Sequence, residues 1–301
     1  MINNVGIIGM GALGILYGDI LTNSLGKENV FFILDENRIK KYNNEGVFSN
    51  GKKCDFSVLN KKEIKPLDLI IVAVKYTALE EAIKNIKNFV YEDTIIISVL
   101  NGVISEDLII KVYDDKVIHC VAQGMDAVKL ENELTYKNIG TLNIGIVDNK
   151  MKDKLENLIN FFKRVNMPYI LEKDILKRMW GKFMLNVGVN QVVMISEGTY
   201  KTVIEEGHYR DMMIKAMKEA ILVANAKGID IGDSDLNMYL DILSTLNPDG
   251  MPSMRQDGLL KRKTEKDLFS KTVVDLGNQY EIDTPINDYL YKTICKMEEE
   301  Y

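Results

Sequence analysis

One of the most apolar stretches of the chain, residues 179–190, is interrupted by Lys182, Asn186 and Asn190, each four residues after the last. At helical pitch the three fall within about 80° of one another, a single narrow stripe. A lysine and two amides on such a face are costly unless they find partners. The plainer alternative is a solvent stripe on an amphipathic helix, but here the rest of the helix surface is apolar almost all round. An ammonium donates hydrogen bonds and protons, and amides both donate and accept. The pattern therefore suits a site for a small polar substrate.

A carboxylate with similar placement is Glu265. It lies in the charged run 261–267, which reads first as surface. If residues 253–278 form one helix, Met254, Gly258, Phe269 and Leu276 lie within about 40° of Glu265 on the helical wheel. A carboxylate on that apolar face calls for a cationic partner. The same segment opens with Ser253-Met254-Arg255-Gln256, an S-x-x-Q capping box, whose hydroxyl at a helix start could also take a substrate carboxylate.

The third cluster is made of glycines. Gly9-Met10-Gly11-Ala12-Leu13-Gly14 follows an apolar strand and opens a helix. In that context the first glycine permits the tight turn, the second lets backbone approach a pyrophosphate, and the third packs helix on strand. Asp35, just past the second strand, either accepts from the adenosine ribose hydroxyls or caps the next helix. Arg38 could meet a 2′-phosphate instead. Lys75 and Asn101 stand at the carboxyl ends of two later strands, where open α/β sheets bind ligands.

The elements that would position these groups change character along the chain. Apolar runs at 5–9, 30–34, 69–74 and 94–99 alternate with helical segments, the pattern of a parallel sheet covered on both faces. After about residue 150 long helical stretches dominate: 150–164, 174–196, 201–227, 234–246, 253–278 and 286–300. The expected fold is α/β, with a Rossmann-type parallel-sheet domain over 1–170 followed by an all-helical domain over 171–301.

Composition narrows the function classes. The formal net charge of −6 argues against a general phosphate-backbone binder, so no nucleic-acid partner is expected. No apolar run approaches the ~20 residues of a membrane span, and the N-terminus lacks the basic segment of a signal peptide, so the expected location is cytoplasmic. Three scattered cysteines without CxxC leave no readable metal site. Of two histidines, His119 lies in an apolar strand-like run and His208 in a polar helix, which disfavours a histidine-based dehydrogenase.

On these residues the chain resembles the ketopantoate reductase family, the 2-dehydropantoate 2-reductases of pantothenate synthesis, over nearly its whole length. The likeness rests on the glycine motif, Val74-Lys75, Leu100-Asn101-Gly102, Trp180-x-Lys182 with Asn186 and Asn190, and Ser253-Met254-x-Gln256-Asp257 followed by Thr264-Glu265. The resemblance implies a Rossmann domain, a helical domain and an active site in the cleft between them. It implies that Lys182 protonates the alkoxide formed by hydride transfer to a 2-oxo acid, and that Glu265 is the catalytic carboxylate. It assigns Asn101 to cofactor and substrate, Asn186 and Asn190 to the substrate's hydroxyl and carboxylate end, Ser253 to its carboxylate, and Lys75 to the cofactor's side.

The sequence departs from the family in three places. Asp35 stands where many members carry a phosphate-binding arginine, which favours NADH where the family implies NADPH. The common Glu-x-Asp-x-x-Asn-Gly ends here in Ser270-Lys271, and residues 123–126 are poorer in glycine and threonine. The expected substrate is a small 2-oxo acid, ketopantoate first, and a homodimer is one candidate assembly. The alternatives are a D-2-hydroxyacid dehydrogenase for other branched or aromatic 2-oxo acids, and a non-catalytic dinucleotide sensor.

Overall fold

The computed structural model describes residues 1–301, in two compact units. Residues 1–101 and 105–175 make the first, and 102–104 and 176–301 the second.

The first unit opens with β1 (Val5–Ile8), α1 (Ala12–Leu25), β2 (Val30–Leu34) and α2 (Glu36–Glu45). The short β3 (Phe48–Ser49) and β4 (Lys52–Lys53) precede β5 (Ser57–Asn60). Then come β6 (Leu69–Val72), α3 (Leu79–Asn85), β7 (Ile95–Ser98) and α4 (Ser105–Tyr113). The main sheet runs β5-β2-β1-β6-β7, parallel throughout. All residues of β1, β2, β6 and β7 are buried, because successive side chains feed opposite cores. Ile7, Phe32 and Ile71 pack with Ile15 and Leu16 of α1, while Ile8, Ile33 and Ile70 pack with Leu79 and Ile83 of α3. After β5 the chain crosses to β6 on the far side of β1. That reversal puts a topological switch point at the carboxyl ends of β1 and β6, where such sheets bind ligands.

The sequence did not announce β5 or two smaller sheets, although the run around His119 read as strand-like. The strands β8 (His119–Met125), β9 (Val128–Leu130), β10 (Glu133–Thr135) and β11 (Ile139–Gly145) follow α4. The helix α5 (Lys152–Arg164) and β12 (Tyr169–Leu171) close the unit. They build a sheet β12-β11-β8 and a small sheet β4-β3-β10-β9. In the second of these the strands of two or three residues carry no readable alternation, and the lysines of β4 are exposed.

The second unit is helical: α6 (Ile175–Ile195), α7 (Lys201–Ile204), α8 (His208–Ala226), α9 (Asp233–Ser244), α10 (Ser253–Leu259), α11 (Thr272–Tyr280) and α12 (Pro285–Glu298). The glycines of α6 are contact points. A Cβ at Gly181 would lie 2.5 Å from the Tyr239 ring of α9, and one at Gly188 2.6 Å from Met217 of α8. No helix is long and apolar enough to cross a membrane.

Two expected helices are broken. The 201–227 helix is interrupted between α7 and α8, where Gly207 takes φ +151°. The 253–278 helix ends at Leu259, and Lys261 turns to φ +50°. The chain resumes as a π-helical turn, Asp267–Lys271, that leads into α11.

Candidate active site

The glycine loop leaves the end of β1 at the switch point. Gly9 has φ +107°, and a Cβ there would lie 2.4 Å from the Ala73 carbonyl oxygen beyond β6. A Cβ at Gly14 would lie 1.9 Å from the Gly9 carbonyl oxygen, so only glycine lets α1 start this close to the strand. Gly11 differs. It is exposed, and a Cβ would meet only the Ala73 oxygen, at 3.8 Å. The backbone face at Gly11 is therefore open, and the amides at the start of α1 have room for a pyrophosphate. Met10, Ala12 and Leu13 are half-buried against the core beneath and brace the loop.

Asp35 caps α2: its Oδ1 accepts from the Arg38 backbone N–H at 2.9 Å, and Arg38 Nε lies 3.5 Å from Oδ2. A hollow of about 470 Å³ opens there, lined by Asp35, Glu36, Asn37, Arg38, Asn60, Lys61 and Lys62. Lys62 pairs with Glu36 at 2.9 Å and Lys61 with Glu81 at 3.2 Å. Lys61 and Lys62 were not singled out from the sequence, because the strand β5 that delivers them was not legible. Lys75 follows β6 by three residues and Asn101 follows β7 by three, at the same end of the sheet as the glycine loop.

A buried relay lies beside Asn101. The Leu100 N–H faces Ser98 Oγ at 3.4 Å, Ser98 donates to Ser105 Oγ at 2.8 Å, and Ser105 donates to Glu106 Oε2 at 2.7 Å. Burial pushes the Glu106 carboxyl up to about 7, against the hydrogen bonds from Ser105 and from the backbone at Cys120.

In the second unit α6 carries Lys182, Asn186 and Asn190 on one stripe. Lys182 and Asn186 are half-buried and Asn190 is 7% exposed, so this is no solvated stripe. Trp180 and Phe183 flank Lys182 with their rings 5.3 Å apart and nearly perpendicular, which stiffens that turn of helix.

Glu265 is half-buried, but not for the expected reason. It lies in the irregular segment between α10 and the π turn, so the helical wheel that grouped it with Met254 and Gly258 does not apply. The capping box at 253–256 does not form either. Pro252 is the N-cap residue, Gln256 Nε2 donates instead to the Met251 carbonyl at 3.1 Å, and Ser253 is the exposed first residue of a seven-residue helix. Pro252 at the cap hands the first helical position to Ser253, one place too late for its hydroxyl to cap.

His119 is buried in β8 and His208 is exposed at the start of α8. No group of three or more histidine, cysteine or acidic side chains could hold a metal ion.

Known proteins match along nearly the whole chain. The family model described as "Ketopantoate reductase PanE/ApbA" matches residues 5–149, and that of its C-terminal part matches 174–298. The 2-dehydropantoate 2-reductase of Pyrococcus abyssi is 25% identical over 293 residues, 96% of this chain and 95% of that one. That of Aquifex aeolicus is 25% identical over 301 residues, covering 97% and 96%. Among solved structures, a D-mandelate dehydrogenase with NADH and anilino(oxo)acetate superposes with a TM-score of 0.86 at 20% identity, covering 99% and 98%. A dimeric ketopantoate reductase from Staphylococcus aureus superposes at 0.79 with 20% identity, covering 99% of each chain. At such identities the superpositions speak for the fold, and the family models for the lineage. The chain belongs to the ketopantoate reductase PanE/ApbA family of oxidoreductases, which act on CH–OH groups.

Proposed function

We propose that this protein reduces a 2-oxo acid, 2-dehydropantoate (ketopantoate) to pantoate, at the expense of a nicotinamide dinucleotide. The observation that carries the reading is the α6 stripe, which holds a lysine and two amides on a rigid and largely buried helix. The dinucleotide supplies the hydride that reaches the keto carbon. Lys182 hydrogen-bonds the keto oxygen and gives it the proton that turns the alkoxide into a hydroxyl. Glu265 orients the Lys182 ammonium and accepts from the substrate's own hydroxyl. Asn186 and Asn190 hold the hydroxyl and carboxylate end, Ser253 donates to the carboxylate, and Asn101 donates where negative charge develops.

The glycine loop receives the pyrophosphate, with Lys75 alongside. The hollow at Asp35 receives the adenosine ribose. Asp35 reads its hydroxyls and favours NADH, because a carboxylate there repels a 2′-phosphate. The reading with NADPH draws on Arg38, Lys61 and Lys62, three cations on the same hollow. We place the enzyme in the cytoplasm, where its three free cysteines stay reduced, and assign it a homodimeric state after its dimeric relative.

The deciding experiment is a steady-state screen of NADH and NADPH against a panel of 2-oxo acids. Ketopantoate is expected to give the highest kcat/KM. A higher value with a branched or aromatic 2-oxo acid reassigns the enzyme to D-2-hydroxyacid dehydrogenation. No turnover with any member, despite dinucleotide binding, makes it a sensor.

A further inference from the structure

Glu265 sits in an irregular stretch, yet both of its neighbours are gripped. Glu298, near the end of α12 and with a side chain only 5% exposed, accepts from the Thr264 N–H at 2.8 Å and from Thr264 Oγ1 at 2.6 Å. Its other oxygen forms an ion pair with Lys266. Burial alone would raise the Glu298 carboxyl, but the hydrogen bonds from Lys266 and Thr264 hold it below the usual carboxylate range. Two helical turns earlier on α12, the Tyr291 hydroxyl reaches Asp267 Oδ1 at 3.2 Å.

The second grip comes from α6. In the π turn the Lys271 N–H bonds the Lys266 carbonyl at 3.2 Å, a five-residue step. The Ser270 N–H, which an α-helix would direct to that carbonyl, donates instead to Gln191 Oε1 at 3.0 Å. Gln191 is fully buried, and its Nε2 is fixed on the Val187 carbonyl at 2.7 Å. Beside this link the rings of Phe183 and Phe269 lie 6.5 Å apart. Gln191 follows Asn190, and Phe183 follows Lys182. The helix that carries the lysine stripe is thus pinned to the turn that begins two residues after Glu265. A π turn needs such a partner for the amide it orphans, and π turns recur at functional sites.

We propose that Gln191 and Glu298 are positioning residues for Glu265: Glu298 holds both neighbours of the carboxylate, Thr264 by its N–H and hydroxyl and Lys266 by its ammonium, and Gln191 sets its register against the Lys182 helix. The inference rests on the reading of Glu265 as the carboxylate of a 2-oxo-acid reductase.

The test combines Gln191→Leu, Glu298→Gln and Glu265→Ala, singly and with Glu265→Ala in pairs. Two measurements are made: kcat/KM with ketopantoate, well below each melting temperature, and amide hydrogen exchange over residues 264–270 without substrate. Positioning residues give a roughly 10-fold or greater loss of kcat/KM with dinucleotide affinity unchanged. They add little once Glu265 is already alanine, because their effect runs through it. Exchange over 264–270 should rise about 10-fold while β1 and β6 keep their protection. Should Gln191→Leu fail to fold, Gln191→Ala, which also removes the acceptor for Ser270 but leaves room in the core, and Glu298→Gln carry the same comparison. Unchanged exchange overturns the proposal. So does a loss of kcat/KM that persists in full on top of Glu265→Ala. If Glu265→Ala is itself as active as wild type, the catalytic reading of Glu265 falls first and this inference falls with it. If Glu265→Ala is crippled and the other two variants are not, only the positioning role is lost.

Discussion

The glycine loop after β1 and the strip around Glu265 are both short irregular segments that hold groups in place, and they are held by opposite means. In the loop, backbone stops backbone: the Gly14 Cα stands against the Gly9 carbonyl, and Gly9 against Ala73. Around Glu265, side chains do the holding, and they come from far along the chain. Glu298 lies 34 residues from Thr264, and Gln191 lies 79 residues from Ser270. The first device is built from neighbours in sequence and from the strand pairing β1–β6. The second needs three separate elements to be packed before any of it exists. A backbone-built seat should fail at once when one atom is added. A side-chain-built seat should tolerate local changes and fail when a distant anchor is removed.

The largest expected effect tests whether the chemistry belongs to the side-chain-built half. Lys182→Ala should fold, keep the dinucleotide affinity set by the glycine loop, and lose about 10²–10⁴-fold in turnover. Fluorescence titration with NADH and NADPH, beside steady-state rates, separates the two. Turnover within a few-fold of wild type would take Lys182 out of the mechanism and move the chemistry elsewhere.

Within the loop the glycines should split. Gly14→Ala puts a methyl group 1.9 Å from a carbonyl oxygen that has no rotamer to escape into. It should cost at least about 3 kcal/mol, read as a fall in Tm, since overpacking against rigid backbone sits at the upper end of such penalties. Gly11→Ala meets no atom closer than 3.8 Å, so Tm should hold while the dinucleotide Kd rises. Equal falls in Tm for both variants would mean that the loop is a structural turn and nothing more.

How much of each half could be read in the chain follows from the same contrast. The glycine spacing, the apolar strands and the α6 stripe are local patterns, and the structure shows the loop and the helix where those patterns put them. Glu265 was picked out by a periodicity that the break at Lys261 removes; the glycine near the break, Gly258, lies inside α10 one residue before its end, and shared the apolar face in the same periodicity. Gln191 offered a faint signal, one more amide in an apolar helix. Glu298 offered none, because it precedes Glu299 and Glu300 in a terminal acidic run. The β4-β3-β10-β9 sheet stayed hidden because strands of two or three residues depend on pairing, not on pattern.

The first unit has one side-chain device of its own, and pH exposes it. The native carboxyl of Glu106 is raised by burial to about 7 from an ordinary value of 4.5. Below about 4.5 the group is protonated folded and unfolded alike, and its contribution is fully present. Between about 4.5 and 7 the native state holds a proton that the unfolded chain has given up, so stability falls as pH rises through that window. The loss is on the order of 3 kcal/mol at most. Glu106→Gln should remove it, so that denaturation measured at pH 5 and pH 8 differs less in the variant than in wild type. Parallel pH profiles for the two proteins would mean that the carboxyl is already ionised in the fold.

The smallest expected effect concerns the hollow at Asp35, where the two building methods meet. The Asp35 carboxylate caps α2 on a backbone N–H, yet the cations around it come from α2 and from the turn after β5. If its carboxylate also reads the ribose, replacing it should change which dinucleotide is preferred. Asp35→Arg removes the negative charge and adds a fourth cation to Arg38, Lys61 and Lys62. The ratio of kcat/KM for NADPH over NADH should then rise at least ~10-fold, about 1.4 kcal/mol. Loss of the cap should cost only ~1 kcal/mol of stability, so the protein stays folded for the measurement. A wild type that already prefers NADPH, with a ratio unmoved by Asp35→Arg, would leave Asp35 a helix cap. Discrimination would then rest with Arg38, Lys61 and Lys62, and substituting Lys62 with alanine should lower NADPH affinity more than NADH affinity. That outcome would place cofactor choice with side chains from α2 and the turn after β5, and would extend to the first unit the distant anchoring that holds Glu265 in the second.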